Sequence, residues 1–166
     1  MHYVDMSKVV ETSAYLKTLS QDKDDFSELL RAAGDELAFY NWCEGILQSY
    51  IGMYTPGILG VFLFQIRPTR PEVDEWVWVI TGDLPTAYIT TEDAPNAACA
   101  LDGYIGAMEE WVAAVEQGES VQNLIPVNAP PTPEYAQALK VRLELLDQHI
   151  LADYQDDLAQ TGPAES

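Results

Sequence analysis

The sequence predicts an α+β fold, a small antiparallel three-stranded sheet at about residues 58–66, 75–81 and 87–91 packed with about four helices. Two observations argue for strands. Ile58-Leu59-Gly60-Val61-Phe62-Leu63-Phe64-Gln65-Ile66 is a nearly continuous apolar run, as expected of a strand covered on both faces. Glu75-Trp76-Val77-Trp78-Val79-Ile80-Thr81 alternates, placing Trp76 and Trp78 on one face and Val77 and Val79 on the other. The third observation argues for a helix. Between about Pro95 and Gln117, the residues Leu101, Tyr104, Ile105, Met108, Trp111, Val112 and Val115 share one arc, which is about 120° wide at helical periodicity.

The other elements are taken in chain order. Residues 5–20 suit a short helix, with Val9, Val10, Ala14 and Leu16 loosely clustered. A polar break at 21–25 ends in Asp25, which can cap the next helix. That helix is long and expected over 26–54, with Gly34 or Gly45 as points where it could break, because Leu30, Ala33, Leu37, Tyr40, Leu47 and Ile51 recur at three- and four-residue steps or their sums. Pro56-Gly57 stops it. Prolines 68 and 71 make the next connection a loop. Gly82-Asp83-Leu84-Pro85 reads as a turn, followed by Ala87-Tyr88-Ile89-Thr90 as the third strand of a meander. Thr132, Pro133 and Glu134 open the last helix as cap, first helical residue and dipole partner. Its buried stripe is Leu139, Leu143, Leu146 and Ile150. One face of three strands cannot bury every apolar stripe, so helices must also pack on helices.

The length of 166 residues suits one domain over 1–166, with a disordered tail expected at 160–166. From Leu37 to Phe64 only Glu44 is charged, but Thr55-Pro56-Gly57 divides the stretch. It reads as buried structure and not as a membrane span. Two cysteines without a framework spacing, and no basic-then-apolar start, point to a reducing, cytoplasmic setting.

Charge is the strongest compositional feature. There are 27 acids against 8 Lys and Arg, a formal net charge of -19. From Pro71 to Leu139 there is no Lys or Arg, while 12 acids fall there. Such a field argues against nucleic acid and anionic membrane as partners and favours a basic protein. The same charge also serves solubility.

The block Trp76-Val77-Trp78-Val79-Ile80-Thr81-Gly82-Asp83-Leu84-Pro85-Thr86-Ala87-Tyr88-Ile89 resembles the middle of an uncharacterised bacterial domain-of-unknown-function family. In that family a tryptophan-rich strand precedes a Gly-Asp-Leu-Pro turn and a tyrosine. The order of Trp42-Cys43 and of the helix after the third strand is also similar. The resemblance covers about the middle half of the chain. It implies a bacterial, cytoplasmic α+β protein, and no activity, cofactor or catalytic residue.

Candidate ligand-binding residues are Trp76, Trp78, Asp83, Tyr88 and Arg67, which could line a pocket between sheet and helices. An acid beside two tryptophans suits a cation or an amine, although Asp and Gly in such a turn are better explained by turn chemistry. The tryptophans are better explained as core. A second candidate is self-association through Cys99, Gly103, Gly106 and Ala113, small residues on the helix face opposite the apolar arc. Asp102, Glu109 and Glu116 lie at seven-residue steps along one edge of that helix, which separates neighbours by about 10 Å and suits a solvated face better than one ion. Trp42 and Trp111 are expected on helices, completing the core. Cys43 could meet a histidine base only through His149, because His2 is terminal. No catalytic, metal, phosphate or dinucleotide signature is present, and no cofactor is expected. The leading expectation is a non-enzymatic acidic binding protein, of immunity or inhibitor type, for a cationic protein. The alternatives are a small-ligand binder or enzyme, and a self-associating structural protein.

Overall fold

Backbone donors and acceptors in an apolar strand must be paired on both sides, and the chain meets that demand with five strands in sequence order. A computed structural model describes residues 2–161. β1 (Val10–Glu11), β2 (Cys43–Thr55), β3 (Leu59–Pro68), β4 (Trp76–Gly82) and β5 (Leu84–Thr90) form one antiparallel sheet in the order β1-β2-β3-β4-β5. Five α-helices accompany it among the described residues: α1 (Thr12–Thr18), α2 (Lys23–Ala38), α3 (Ala97–Glu116), α4 (Pro133–His149) and α5 (Gln155–Leu158). The mixed α+β class and the antiparallel meander agree with the sequence, and two strands and one helix are added.

Alternation along β3 and β4 divides the interior into two cores. Leu59, Val61, Leu63, Trp78 and Ile80 face α3 and α4. Phe62, Phe64, Ile66, Val77 and Val79 face Phe26, Ala33 and Leu37 of α2. The sheet is therefore sandwiched between two helical layers. α4 packs mainly on α3, which supplies the helix-on-helix contact expected from the surplus of apolar stripes.

Residues 43–54 are strand, not the second half of a helix. The step from Leu47 to Ile51 is four residues, which returns to the same face of a helix and also of a strand. Pairing decides between them: Ser49 to Ile51 lie opposite Phe64 to Phe62, and Met53 opposite Val61. Register shifts between Cys43 and Gly45, Ile46 and Gln48, and Ile51 and Met53 interrupt simple alternation. They also disturb an edge of β2 that β1 covers only at Tyr50 and Ile51, a recognised defence against edge-to-edge pairing.

The expected helix over 5–20 also breaks up. Met6–Lys8 is a single 3-10 turn and Val10 pairs with Ile51, so α1 begins only at Thr12. The β-branched pair Val9-Val10 favours this extended entry. Asp25 does not cap α2. Its carboxylate accepts the Tyr54 hydroxyl at 2.7 Å and the Gly57 N–H at 3.0 Å, tying the first turn of α2 to the β2–β3 connection. Asp22 takes the cap position in left-handed geometry without a side-chain bond.

At α3, Asn96 rather than Pro95 marks the start. Its Oδ1 accepts the Cys99 N–H at 2.9 Å, while its Nδ2 donates to the Asp157 carbonyl and to Gln160 Oε1, each at 2.9 Å. Gln160 in turn donates to Asp5 at 3.0 Å, and Lys8 pairs with Asp157. Gln160 thus has defined partners, and residues 162–166 of the expected disordered tail lie outside the described residues. α4 is capped by Thr132 as expected and ends at His149. Leu151–Tyr154 continues as a 3-10 turn before α5.

The β4–β5 reversal is tighter than the four-residue turn expected, since Gly82 pairs directly with Leu84 and β5 begins three residues early. Pro85 is tolerated because β5 is an edge strand. Gly82 has φ +145°, and a Cβ placed there would lie 2.1 Å from the Ile58 carbonyl oxygen and 2.8 Å from its carbon. These are backbone atoms and cannot swing aside. Gly82→Ala should therefore cost about 3 kcal/mol or more, read as a lower urea midpoint. A loss below about 0.5 kcal/mol would show that the turn relaxes freely.

Candidate functional site

The five residues expected to line one pocket do not converge. Trp78 is fully buried, and its indole N–H donates to the Ala94 carbonyl at 2.9 Å. It is core. The space between sheet and helices is filled by Trp78, Ile80, Leu101, Tyr104 and Met108, with the Tyr104 hydroxyl donating to the Pro85 carbonyl. Arg67 is exposed near the end of β3. Asp83 is exposed in the β4–β5 turn, 3.4 Å from Arg142 of α4. There it borders an apolar cleft of about 380 Å3 with Ile58, Leu145 and His149. Tyr88 and Trp76 lie toward the opposite end of the sheet but on its two faces, Tyr88 against the α2-side core and Trp76 against the α3-side core. Trp42 packs against Tyr88 from the turn before β2, not from a helix, while Trp111 is buried on α3 against Tyr135 as expected.

The small-residue face of α3 is open only in part. Gly103, Gly106 and Ala113 are exposed, and a Cβ at either glycine would meet nothing within 4 Å. Cys99 is removed from this face because the α5 segment covers it, its thiol donating to the Asp157 carbonyl at 3.3 Å. Docking two copies here would bring Asp102, Glu109 and Glu110 against their own kind, which opposes self-association at low salt.

Four carboxylates gather between α3 and α4. A groove of about 340 Å3 runs along their contact. Buried Val112 and Leu143 form its floor, and the short side chain of Ala113 leaves it open. Glu109 and Glu116, one helical double-turn apart, line it from α3, and Glu144 and Asp147 line it from α4. Lys140 is the single cation in the lining. None of these four carboxylates is in an ion pair among the described residues. The ion-paired acids are Glu28, Asp35, Glu72, Asp83 and Asp157. Glu116 and Asp147 also occupy the last turns of their helices. The negative end of the helix dipole disfavours an acid there. Both groups would gain from a nearby cation.

Sequence reading finds the Glu109/Glu116 edge but not its counterpart, because periodicity does not say which helix lies alongside. The cysteines are not arranged for catalysis. Cys43 packs in the α2-side core, whereas His149 is exposed on α4, so the two do not form a thiol–imidazole pair. Burial raises the Cys43 thiol above its ordinary value, and for Cys99 burial acts first, followed by Asp102 and Asp157. Among the described residues no group of three or more His, Cys, Asp or Glu is placed to hold a metal ion, and no helix is long and apolar enough to cross a membrane.

No family model matches the chain, and neither a curated protein nor a solved structure matches it. The likeness of the Trp76–Ile89 block to the bacterial family remains a resemblance carried by those residues.

Both thiols should be sluggish. Thiolate is the reactive form, and raised values move its appearance above the ordinary 9.0. Alkylation by iodoacetamide at neutral pH should run several-fold slower than for free cysteine and still be rising beyond the ordinary thiol range. A rate at pH 7 equal to that of free cysteine would contradict this.

Proposed function

We propose that the protein is a non-enzymatic acidic binding protein, of immunity or inhibitor type, whose α3/α4 groove receives a basic segment of a protein partner. The observation that carries this reading is the set of four ion-pair-free carboxylates, Glu109, Glu116, Glu144 and Asp147, around the apolar floor of Val112 and Leu143. A cationic side chain in the groove would meet charge on both sides while its apolar stem covers the floor. Across the whole chain, a net charge of -19 would steer such a partner from a distance. Burial holds both thiols in their unreactive protonated form, which favours binding over cysteine chemistry.

An amphipathic lysine–leucine peptide is a suitable first probe, followed by fluorescence anisotropy. Neutralising the groove with Glu109→Gln, Glu116→Gln, Glu144→Gln and Asp147→Asn should weaken binding by about tenfold or more. A control with the same charge removed elsewhere, Asp24→Asn, Glu44→Gln, Asp153→Asn and Asp156→Asn, should change it less than about threefold. Equal losses in the two variants would mean that diffuse charge, not the groove, holds the peptide.

A further inference from the structure

The cleft of about 380 Å3 beside Asp83 is a second feature, sharing no residue with the α3/α4 groove. It lies between α4 and the two turns at one end of the sheet. Along α4, Arg142, Leu145, Leu146, His149 and Ile150 line it at the three- and four-residue steps of one helical face. Opposite them stand Ile58 from the β2–β3 connection and Leu84 from the start of β5. Leu84, Leu146 and Ile150 all belong to the α3-side core, so both walls rise from the same side of the sheet.

The walls are held in place and are apolar. The Asp83 N–H donates to the Ile58 carbonyl at 3.0 Å, and the Ile58 N–H to the Thr55 carbonyl at 3.0 Å, which ties the two turns together. Walls that keep their shape lose little freedom when they meet a ligand. Ile58 and Leu145 are still 45% and 50% exposed. Covering that surface is favourable for any ligand with an apolar part.

One charge of each sign stands at the rim. Arg142 Nε donates to Asp83 Oδ2 at 3.4 Å, and Arg142 Nη1 donates to the Ala138 carbonyl at 3.4 Å. Both bonds are long. Arg142 Nη2 and Asp83 Oδ1 form no hydrogen bond among the described residues. The two side chains are 46% and 70% exposed. An exposed pair joined by one long contact contributes little to stability, so a ligand can share it at small cost.

We propose that this cleft binds a free α-amino acid with an apolar side chain. Such a molecule carries both charges on one carbon, as the rim carries both side by side. Its carboxylate meets Arg142, its ammonium meets Asp83, and its side chain lies against Ile58, Leu145 and Leu146. Charge decides among the occupants. A lone carboxylate would face Asp83 and a chain of net charge -19. A lone ammonium would face Arg142, and a purely apolar molecule would use neither charge. A dipolar ligand is neutral overall, so it gains both contacts without meeting the repulsion of the whole chain. His149, seven residues and about 10 Å along α4 from Arg142, senses the apolar part of the ligand.

The test follows the imidazole proton resonances of His149, one of 2 histidines, assigned through a His149→Gln variant. Leucine should shift them saturably, with millimolar affinity. The comparison is made at about 0.15 M salt, where long-range fields are screened. Leucinamide and N-acetylleucine each lack one charge and should bind about threefold more weakly than leucine. Glycine, without the side chain, should bind about tenfold more weakly or worse. Arg142→Gln should erase the difference between leucine and leucinamide and keep that between leucine and N-acetylleucine. Asp83→Asn should do the reverse. Both changes are at exposed side chains, and an unmoved indole N–H signal from buried Trp78 reports that each variant is folded. The proposal is overturned if leucinamide or N-acetylleucine binds as tightly as leucine, which would point to a peptide N-terminus or C-terminus instead. It is equally overturned if glycine matches leucine, or if leucine gives no saturable shift by about 100 mM.

Discussion

β3 has no polar face, and that single constraint organises the molecule. Leu59, Val61 and Leu63 on one side and Phe62, Phe64 and Ile66 on the other are all buried. A sheet containing such a strand must be covered twice. α2 supplies one cover and α3 the other, and α4 is then left to pack on α3. The interior is consequently full, and its buried side-chain polar atoms among the described residues all have partners. Open surface with shape remains where layers end, among other places along the seam of α3 and α4 and beside the β4–β5 turn.

Much of this plan was legible because burial writes a period into the chain. The α3 arc from Leu101 to Val115 and the Trp76–Trp78 alternation needed no knowledge of neighbours. Residues 43–54 misled because a four-residue recurrence fits both periods and because bulges blur the alternation that would have separated them. Leu47 is 50% exposed while Ile51 is 4% exposed, so the pair that suggested one buried face does not share one. The sites were harder still. Glu109 and Glu116 come from one helix and Glu144 and Asp147 from another, and nothing in the chain states that they meet.

The distribution of charge is as informative as its sum. Among the described residues few of the acids are engaged in ion pairs, and Glu116 and Asp147, like Asp35 and Glu36 of α2, sit in helix C-terminal turns where local electrostatics resists them. Stability alone would not choose those positions. Along the α3/α4 seam, four carboxylates outside the ion pairs of the described residues surround an apolar floor.

The junction of Asn96, Gln160 and Asp5 has a temporal side. A bond between residues 160 and 5 closes a ring of nearly the whole chain without any covalent link, and contacts of such separation carry the greatest closure entropy. On the ribosome, Asn96 can satisfy the first turn of α3 through Cys99 as soon as that helix emerges, but its amide must wait for Asp157 and Gln160. The α3 layer can therefore assemble on the sheet early, while the clasp that holds both chain ends to it is among the last contacts to form.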